Sequence, residues 1–444
     1  MKQASYDVAI IGSGMGGMCA AALLADAGYK ILVVERLPFL GGRCSTVRYK
    51  GFTLTTGAMS LTAYDESPVN QVWNQLGAAY PVRPLPPDMV FQYRIKGRDY
   101  PVPEKDALRT LISLASEERA EVDRVMEAVE RSISWQEPSA FISLRDWLLQ
   151  YTHNELILRI FQNLCVGHIG ANVHEVPASE FFHYLGHPVV TQVRGYAPEG
   201  NLAVIESLAD AIRDRGGEFW TRCRARRIIV QDQAARGLIV EREGEEVEIR
   251  AGAVVSNAGP RRTVDLAESE NFDRGYLREI KERLRPASHI LLFIAMPGDQ
   301  PLPARLYLTD TRRLFAIRSM TALCPELAPP GKQLIFASAL PASSLPPINF
   351  KYEIELCLED LKESIPGFDR YAEVLYVHCF RGGSDWPFYH SCSGYELPQK
   401  TSVVKLYNVG DGVKTPDWIG LEACAASARL VVADIKDRIE PGKA

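Results

Sequence analysis

Apolar positions recur along this chain with two periods, and the changes between them divide it into stretches. The first apolar run, Val8-Ala9-Ile10-Ile11, is too short for a helix and rich in strand formers, which predicts a buried parallel strand. Gly12, Gly14 and Gly17 follow, with Met15 and Gly16 among them, and an Ala-rich helix is expected from about Met15 to Ala27, ended by Gly28. A second run, Ile31-Leu32-Val33-Val34, predicts a strand that delivers Glu35 and Arg36. From about Leu61 the pattern changes. Prolines crowd 81–87, and helical periodicity runs over 104–135 and 143–165. An amphipathic helix is predicted over 202–215, stopped by Gly216-Gly217, followed by short strands at 226–230, 237–241, 246–250 and 253–256. Beyond Arg261, apolar runs predict strands at 289–296, 305–308, 314–319, 333–339 and 373–380, with one helix over 352–364. A last strand, 406–409, leads through Gly410-Asp411 to a helix that begins near Gly420 and runs to the C-terminus.

The glycine turn carries the first chemistry. Gly12 permits a tight turn, Gly14 lets backbone approach a phosphate, and Gly17 allows the helix to pack closely on the sheet. The helix start turns free N–H groups and a positive dipole end toward a pyrophosphate. Glu35, at the end of the second strand, stands where an acid accepts hydrogen bonds from ribose hydroxyls. Gly41-Gly42-Arg43, with Thr46, brings a second glycine pair and a fixed cation back to the same region.

This extended pattern resembles the FAD-binding segment of the flavin amine oxidase and phytoene desaturase superfamily, which also includes the GDP-dissociation inhibitors. The resemblance recurs twice. The helix at 202–215, the glycine pair and the meander ending in Val254-Val255-Ser256-Asn257-Ala258-Gly259-Pro260 are similar to the second FAD segment, in which the strand around Ala225 lies along the adenine. Gly410-Asp411 and Gly420-Leu421-Glu422-Ala423 are similar to the third: the acid can bond a ribityl hydroxyl, and the helix start can place N–H groups near the flavin O2. One departure stands at Thr55, where the phytoene desaturase-like pattern usually has an acid.

The resemblance implies an α/β fold: a Rossmann-like FAD-binding domain of the GR2 type, made of residues 1–60, 197–260 and 401–444, with an inserted α+β substrate domain of 61–196 and 261–400. Several strands of the second insertion would form a sheet whose one face is covered by helices of the first. The cofactor-binding residues it implies are Gly12, Gly14, Met15, Gly16, Gly17, Glu35, Arg36, Gly42, Arg43, Gly57, Ala58, Ala225, Asn257, Gly410, Asp411, Gly420 and Leu421.

Composition narrows the classes. Of 444 residues, 46% are hydrophobic and 24% charged, ordinary for a globular chain and unlike a disordered or fibrous one. A net charge of −5 offers no basic footprint for nucleic acid. The nine cysteines are an odd number without CxxC spacing, which suits reduced thiols in a cytoplasmic protein. No apolar run approaches the ~20 residues of a membrane-spanning helix, although a peripheral membrane contact stays open because an amphipathic patch escapes such a count.

Flavin carries its own redox chemistry, so the protein supplies position and electrostatics, and no protein nucleophile is required. No metal-ligand spacing such as HExxH occurs among the eight histidines. His168, His174, His183 and His187 read as polar residues of the substrate domain. Weak candidates for the substrate pocket are Trp386, Tyr389 and Trp418, with His390 as an acid or base; Cys44 and Cys424 read as small apolar residues. The expectation is an FAD-dependent oxidoreductase of the phytoene desaturase-like type, moving a hydride between an apolar isoprenoid or alicyclic substrate and flavin N5 and working with an unidentified electron acceptor. The ending Ser256 to Pro260, similar to the family's SNADP type, favours this branch over an amine oxidase. A non-catalytic lipid-binding protein like the GDP-dissociation inhibitors is the third reading.

Overall fold

The computed structural model describes residues 3–442, apart from 59, 64–65, 87–90, 103–105, 136–141, 187–193, 301, 383–387, 390–396, 414 and 416–417. The chain has a mixed α/β fold built on two seven-stranded sheets.

In the first sheet the strands run in the order Glu218–Trp220, Ile31–Val34, Gln3–Ile11, Glu245–Ser256, Ala234–Arg242, Cys223–Gln231, with Leu406–Asn408 added to Glu245–Ser256. The strands around Gln3–Ile11 are parallel. Val8, Ala9 and Ile10 are wholly buried, as a central strand covered on both faces requires. The pair expected at 246–250 and 253–256 is one long strand that changes partners along its length. Its first half pairs antiparallel with Ala234–Arg242, and Val254–Ser256 pair parallel with Leu406–Asn408. The helices Met15–Asp26, Leu202–Asp214 and Gly420–Arg438 bury their apolar sides on one face of this sheet. Ala20, Ala21 and Ala22 have no exposure, and their small side chains let Met15–Asp26 lie close to its neighbours. Leu266, Tyr276 and Ile280, from the helices Pro260–Ala267 and Arg274–Arg283, cover the other face.

The second sheet has the order Glu373–Phe380, His289–Pro297, Lys332–Ala339, Leu314–Ser319, Arg305–Leu308, Phe91–Ile95, Arg98–Val102. Ile290, Leu292 and Ile294 point to the helix Phe350–Ser364, while Leu291, Phe293 and Ala295 point to Phe52, Leu54 and Tyr196 of the other half of the molecule. This corrects the expected layering. The helix that covers one face comes from the later insertion, and the helices within 107–186 pack instead with strands Phe91–Ile95 and Arg98–Val102. Those two strands lie where no strand was expected.

The long helical stretches also divide. The periodicity of 104–135 resolves into Ala107–Ala115 and Arg119–Trp135 because Ser116 is extended (φ −125°, ψ 134°) and its hydroxyl accepts from Glu118 N–H at 3.2 Å. Likewise 143–165 becomes Leu144–Leu148 and Glu155–His168, the second capped by Asn154, whose side chain accepts from the Leu156 and Ile157 N–H groups.

Candidate active site

The glycine turn is held by contacts that explain each glycine. A Cβ on Gly17 would collide with the Gly12 carbonyl oxygen, and one on Gly14 with the Asn257 side-chain amide. One on Gly16 would come to 2.8 Å from Gly410 N. Gly16 and Gly410 therefore pack the first and last segments together, Gly17 packs its helix against the Gly12 turn, and none of the three lines the cavity. The Asn257 amide is fixed between them: Nδ2 donates to the Val409 carbonyl and Oδ1 accepts from Gly14 N–H, both at 3.2 Å.

Glu35 is buried, and both its oxygens are engaged by protein. Oε2 accepts from the Ser13 N–H (2.9 Å) and hydroxyl (2.7 Å), and Oε1 accepts from Leu37 N–H (2.9 Å). The Ser13 hydroxyl accepts in turn from Gly41 N–H at 3.1 Å. Glu35 thus ties the glycine turn to the Gly41-Gly42 loop in addition to facing the cleft. Gly42, with φ +57°, would set a Cβ against nothing nearer than Gly14 Cα at 3.8 Å, so its open side belongs to the cavity.

Arg43 and Asp411, read from sequence as a phosphate cation and a ribityl acceptor, pair with each other at 2.5 Å. Their ion pair joins the first segment to the last. Gly57 (φ +85°) lets the chain pass the Arg43 carbonyl, and Asn201 Nδ2 donates to the carbonyls of Thr56 (2.8 Å) and Ala58 (3.0 Å), a tie that sequence reasoning missed. One cavity of about 1000 Å³ is lined by Gly12, Gly14, Met15, Glu35, Arg36, Gly42, Arg43, Gly57, Ala58, Ala225, Asn257, Asp411, Gly420 and Leu421. Its size is at the upper end of small-molecule sites, which run from about 300 to 1,000 Å³.

The same cavity continues between the two sheets, where Leu61, Leu85, Phe91, Val166, Leu291 and Phe380 give it apolar walls. Polar groups from six elements also face it. His168 ends its helix with Nδ1 3.4 Å from the Tyr184 hydroxyl. Burial pushes its imidazole down to about 3, reinforced by Arg194, Arg305 and Arg318, so it is neutral at physiological pH. Burial raises the Tyr307 phenol, yet Arg305, Arg318 and Arg194 outweigh it and hold the group below its ordinary value. Arg194 donates to the Thr62 hydroxyl at 3.1 Å. Glu422, in the first turn of Gly420–Arg438, accepts from Val69 N–H at 3.0 Å, and burial raises its carboxyl.

Of the histidines weighed from sequence, His174 and His183 are exposed, and His187 lies outside the described residues. His168 reaches the cavity, and so does His289, which was not singled out. Trp418 does not line the cavity. It packs against the helical cluster, and its neighbour Ile419 faces the site instead. Trp386 and His390 fall outside the described residues; Tyr389 lies in the short strand Phe388–Tyr389, which pairs with Pro286–Ala287, and its side chain is outside them. Cys44 and Cys424 are buried thiols, each pushed up to about 12 by burial, which leaves little thiolate for a covalent link.

Comparison with known proteins agrees with this arrangement. Over 433 residues the chain is 26% identical to an uncharacterized protein of Methanocaldococcus jannaschii, covering 96% of this chain and 98% of that one. It is 22% identical to a 4,4'-diapophytoene desaturase of Methylomonas over 74% of this chain and 72% of the relative. The crystal structure of an oxidoreductase from Methanosarcina mazei superposes with a TM-score of 0.81 at 27% identity, covering 96% of this chain and 99% of the other. Residues 15–435 match the model of the flavin-containing amine oxidoreductases. With its glycine turn, its Glu35 clamp and the helix start at Gly420 around one cavity, this chain belongs to that family and is an FAD-dependent oxidoreductase.

Proposed function

We propose that this enzyme exchanges a hydride between a C–H bond of a substrate with a mainly apolar body and FAD, in the manner of the phytoene desaturase-like branch. In this reading residues 1–60, 197–260 and 401–444 form a Rossmann-like FAD-binding domain of the GR2 type, and 61–196 and 261–400 form the substrate domain. The observation that carries it is the continuity of the cavity from the Gly12–Glu35 cleft to the apolar walls at Leu61, Phe91, Leu291 and Phe380.

The residues fit the cofactor. Gly42 and Gly14 leave bare backbone facing the cleft, and the first turn of Gly420–Arg438 directs N–H groups toward it. When bound, flavin supplies the hydride acceptor or donor. The protein's own residues do the rest. Glu35 holds the turn in its binding shape, the Arg43–Asp411 pair locks the first chain segment to the last, and the apolar walls exclude water and orient the substrate. Three guanidinium groups near the chamber oppose a cationic substrate, which weighs against the amine oxidase reading.

The test is anaerobic mixing of the purified holoenzyme with panels of apolar acids, isoprenoids and amines, followed by flavin absorbance and product mass. Bleaching by a non-amine, with a product two hydrogens lighter, is the expected result. Bleaching confined to amines, with release of ammonia, would overturn the reading, and a colourless protein would favour the lipid-binding alternative.

A further inference from the structure

We propose that Tyr307 is the acid–base residue of the hydride exchange: its phenolate oxygen takes the proton of the carbon beside the one that gives up hydride, and the phenol returns that proton in the reverse direction. The inference rests on the reading of this chamber as the substrate site, and it adds a proton carrier to a reaction whose electrons go to FAD. One C–H bond gives its hydrogen and electron pair to oxidised FAD, the adjacent C–H bond gives its proton to the Tyr307 oxygen, and the electron pair left on that carbon becomes the new C=C bond.

Tyr307 reaches the chamber because its strand alternates. Leu306 and Leu308 of Arg305–Leu308 turn to the core, while Arg305 and Tyr307 line the cavity. The Tyr307 ring is held from two sides, stacked on Tyr93 with centroids 4.7 Å apart and set edge-on to Phe91 at 6.1 Å. On the neighbouring antiparallel strand Ala316 lies opposite Tyr307 and Arg318 opposite Arg305, so Arg318 is the diagonal neighbour of the phenol, and the small Ala316 leaves it room. Arg318 hydrogen-bonds the phenol oxygen. A guanidinium has only N–H donors, so the oxygen accepts, and its own proton is left for another partner. A substrate atom can be that partner, since the ring borders the cavity. The charges around the phenol favour its anion. Burial raises it, but Arg305 on its own strand, Arg318 on the next and Arg194 on the strand Arg194–Tyr196 outweigh burial and hold it below its ordinary value. The other titratable groups around the chamber are poorer carriers of this proton. Burial raises the phenols of Tyr93 and Tyr184, and Tyr196 is hydrogen-bonded to Arg305. His168, pushed down to about 3 by burial and the same arginines, gives up any proton it receives. His289 stands edge-on to Phe315 at 6.0 Å, and Glu422 is engaged by Val69 and Thr62 at its helix start.

The experiment uses FAD-loaded protein, the variant Tyr307→Phe, which removes only the hydroxyl and keeps the stacked ring, and Arg318→Met. Tyrosinate absorbance is followed as pH is raised toward 10, and the difference between parent and Tyr307→Phe cancels the flavin and the other phenols. That difference should show one phenol titrating below the ordinary value of about 10, and Arg318→Met should move it upward. The same preparations are mixed anaerobically with phytoene and with limonene, and flavin bleaching is timed across the same pH range. In the parent the rate should rise with pH through the titration of the phenol. In Tyr307→Phe it should be about a hundredfold lower and lack that rise, and in Arg318→Met the rise should move with the phenol. A purely structural tyrosine would shift neither the titration nor the pH profile. A difference spectrum without a low-titrating phenol in a parent that bleaches, or bleaching by Tyr307→Phe at the parent's rate and pH profile, would overturn this role alone. A low-titrating phenol in a parent that neither probe bleaches would overturn the hydride reading and this role with it, so the two failures are told apart.

Discussion

Glu35→Ala tests how the cleft is held before any cofactor arrives. In the wild-type chain the carboxylate accepts three hydrogen bonds, two from Ser13 and one from Leu37, at a buried position. A hydrogen bond to a charged group contributes about 1.5–3 kcal/mol, and three that share one carboxylate are not additive. Water can enter the space left by the side chain from the cavity and recover part of the loss. We therefore expect about 3 kcal/mol of lost stability in the cofactor-free protein, and up to about a hundredfold weaker FAD binding if the same energy is charged to organising the turn. Glu35→Gln keeps one acceptor but turns an N–H toward a donor, so it should fall between the two. The assay is a urea titration of the apo protein beside a fluorescence titration with FAD. If apo Glu35→Ala unfolds at the wild-type urea concentration, the clamp is not what Glu35 provides, and its role reduces to a ribose contact.

Other consequences are as direct. Gly14→Val places a branched side chain against the Asn257 amide and into the cleft, and should give folded protein without flavin absorbance. Cys44 and Cys424, each pushed up to about 12, hold only about one thiolate in ten thousand at pH 8. Iodoacetamide should leave both unmodified in native protein, as peptide mass mapping would reveal. His168 binds a proton near 6.5 when unfolded but only near 3 when folded, so the folded state is favoured above that window and loses stability as pH falls through it. Between pH 7 and 5 the wild type should lose about 1–2 kcal/mol that His168→Gln keeps, measured by urea midpoints; parallel pH profiles would refute the assignment.

The first sheet and the helix after its glycine turn were largely legible because these elements are set by local rules. A four-residue apolar strand, glycines at fixed spacing, an Ala-rich helix and a terminal acid each have a physical reason that survives any tertiary context, and the helix Met15–Asp26 and strand Ile31–Val34 fall within a residue of expectation. The strands Arg305–Leu308, Leu314–Ser319 and Glu373–Phe380 were equally plain from their apolar alternation. Phe91–Ile95 and Arg98–Val102 were not, since Arg94, Lys96, Arg98 and Asp99 break the apolar pattern of a hairpin at the sheet's edge. The helix breaks at Ser116 and Asn154 carried capping residues that a search for periodicity alone passes over.

The chamber illustrates a different limit, one of sign rather than of pattern. Arg305 and Tyr307 alternate with Leu306 and Leu308, and on a half-buried strand that alternation ordinarily sends the polar side to solvent. Here both sides are buried: Leu306 and Leu308 belong to the core beneath Phe350–Ser364, while Arg305 and Tyr307 face a cavity closed off by the other half of the molecule. The period thus locates the strand correctly and leaves undecided what lies on its polar side. Only the meeting of distant segments decides it, because His168, Arg194, Arg305 and Arg318 come from four separate elements. A site of this kind becomes readable only when charges that each look solvated in the sequence are found to line one buried wall.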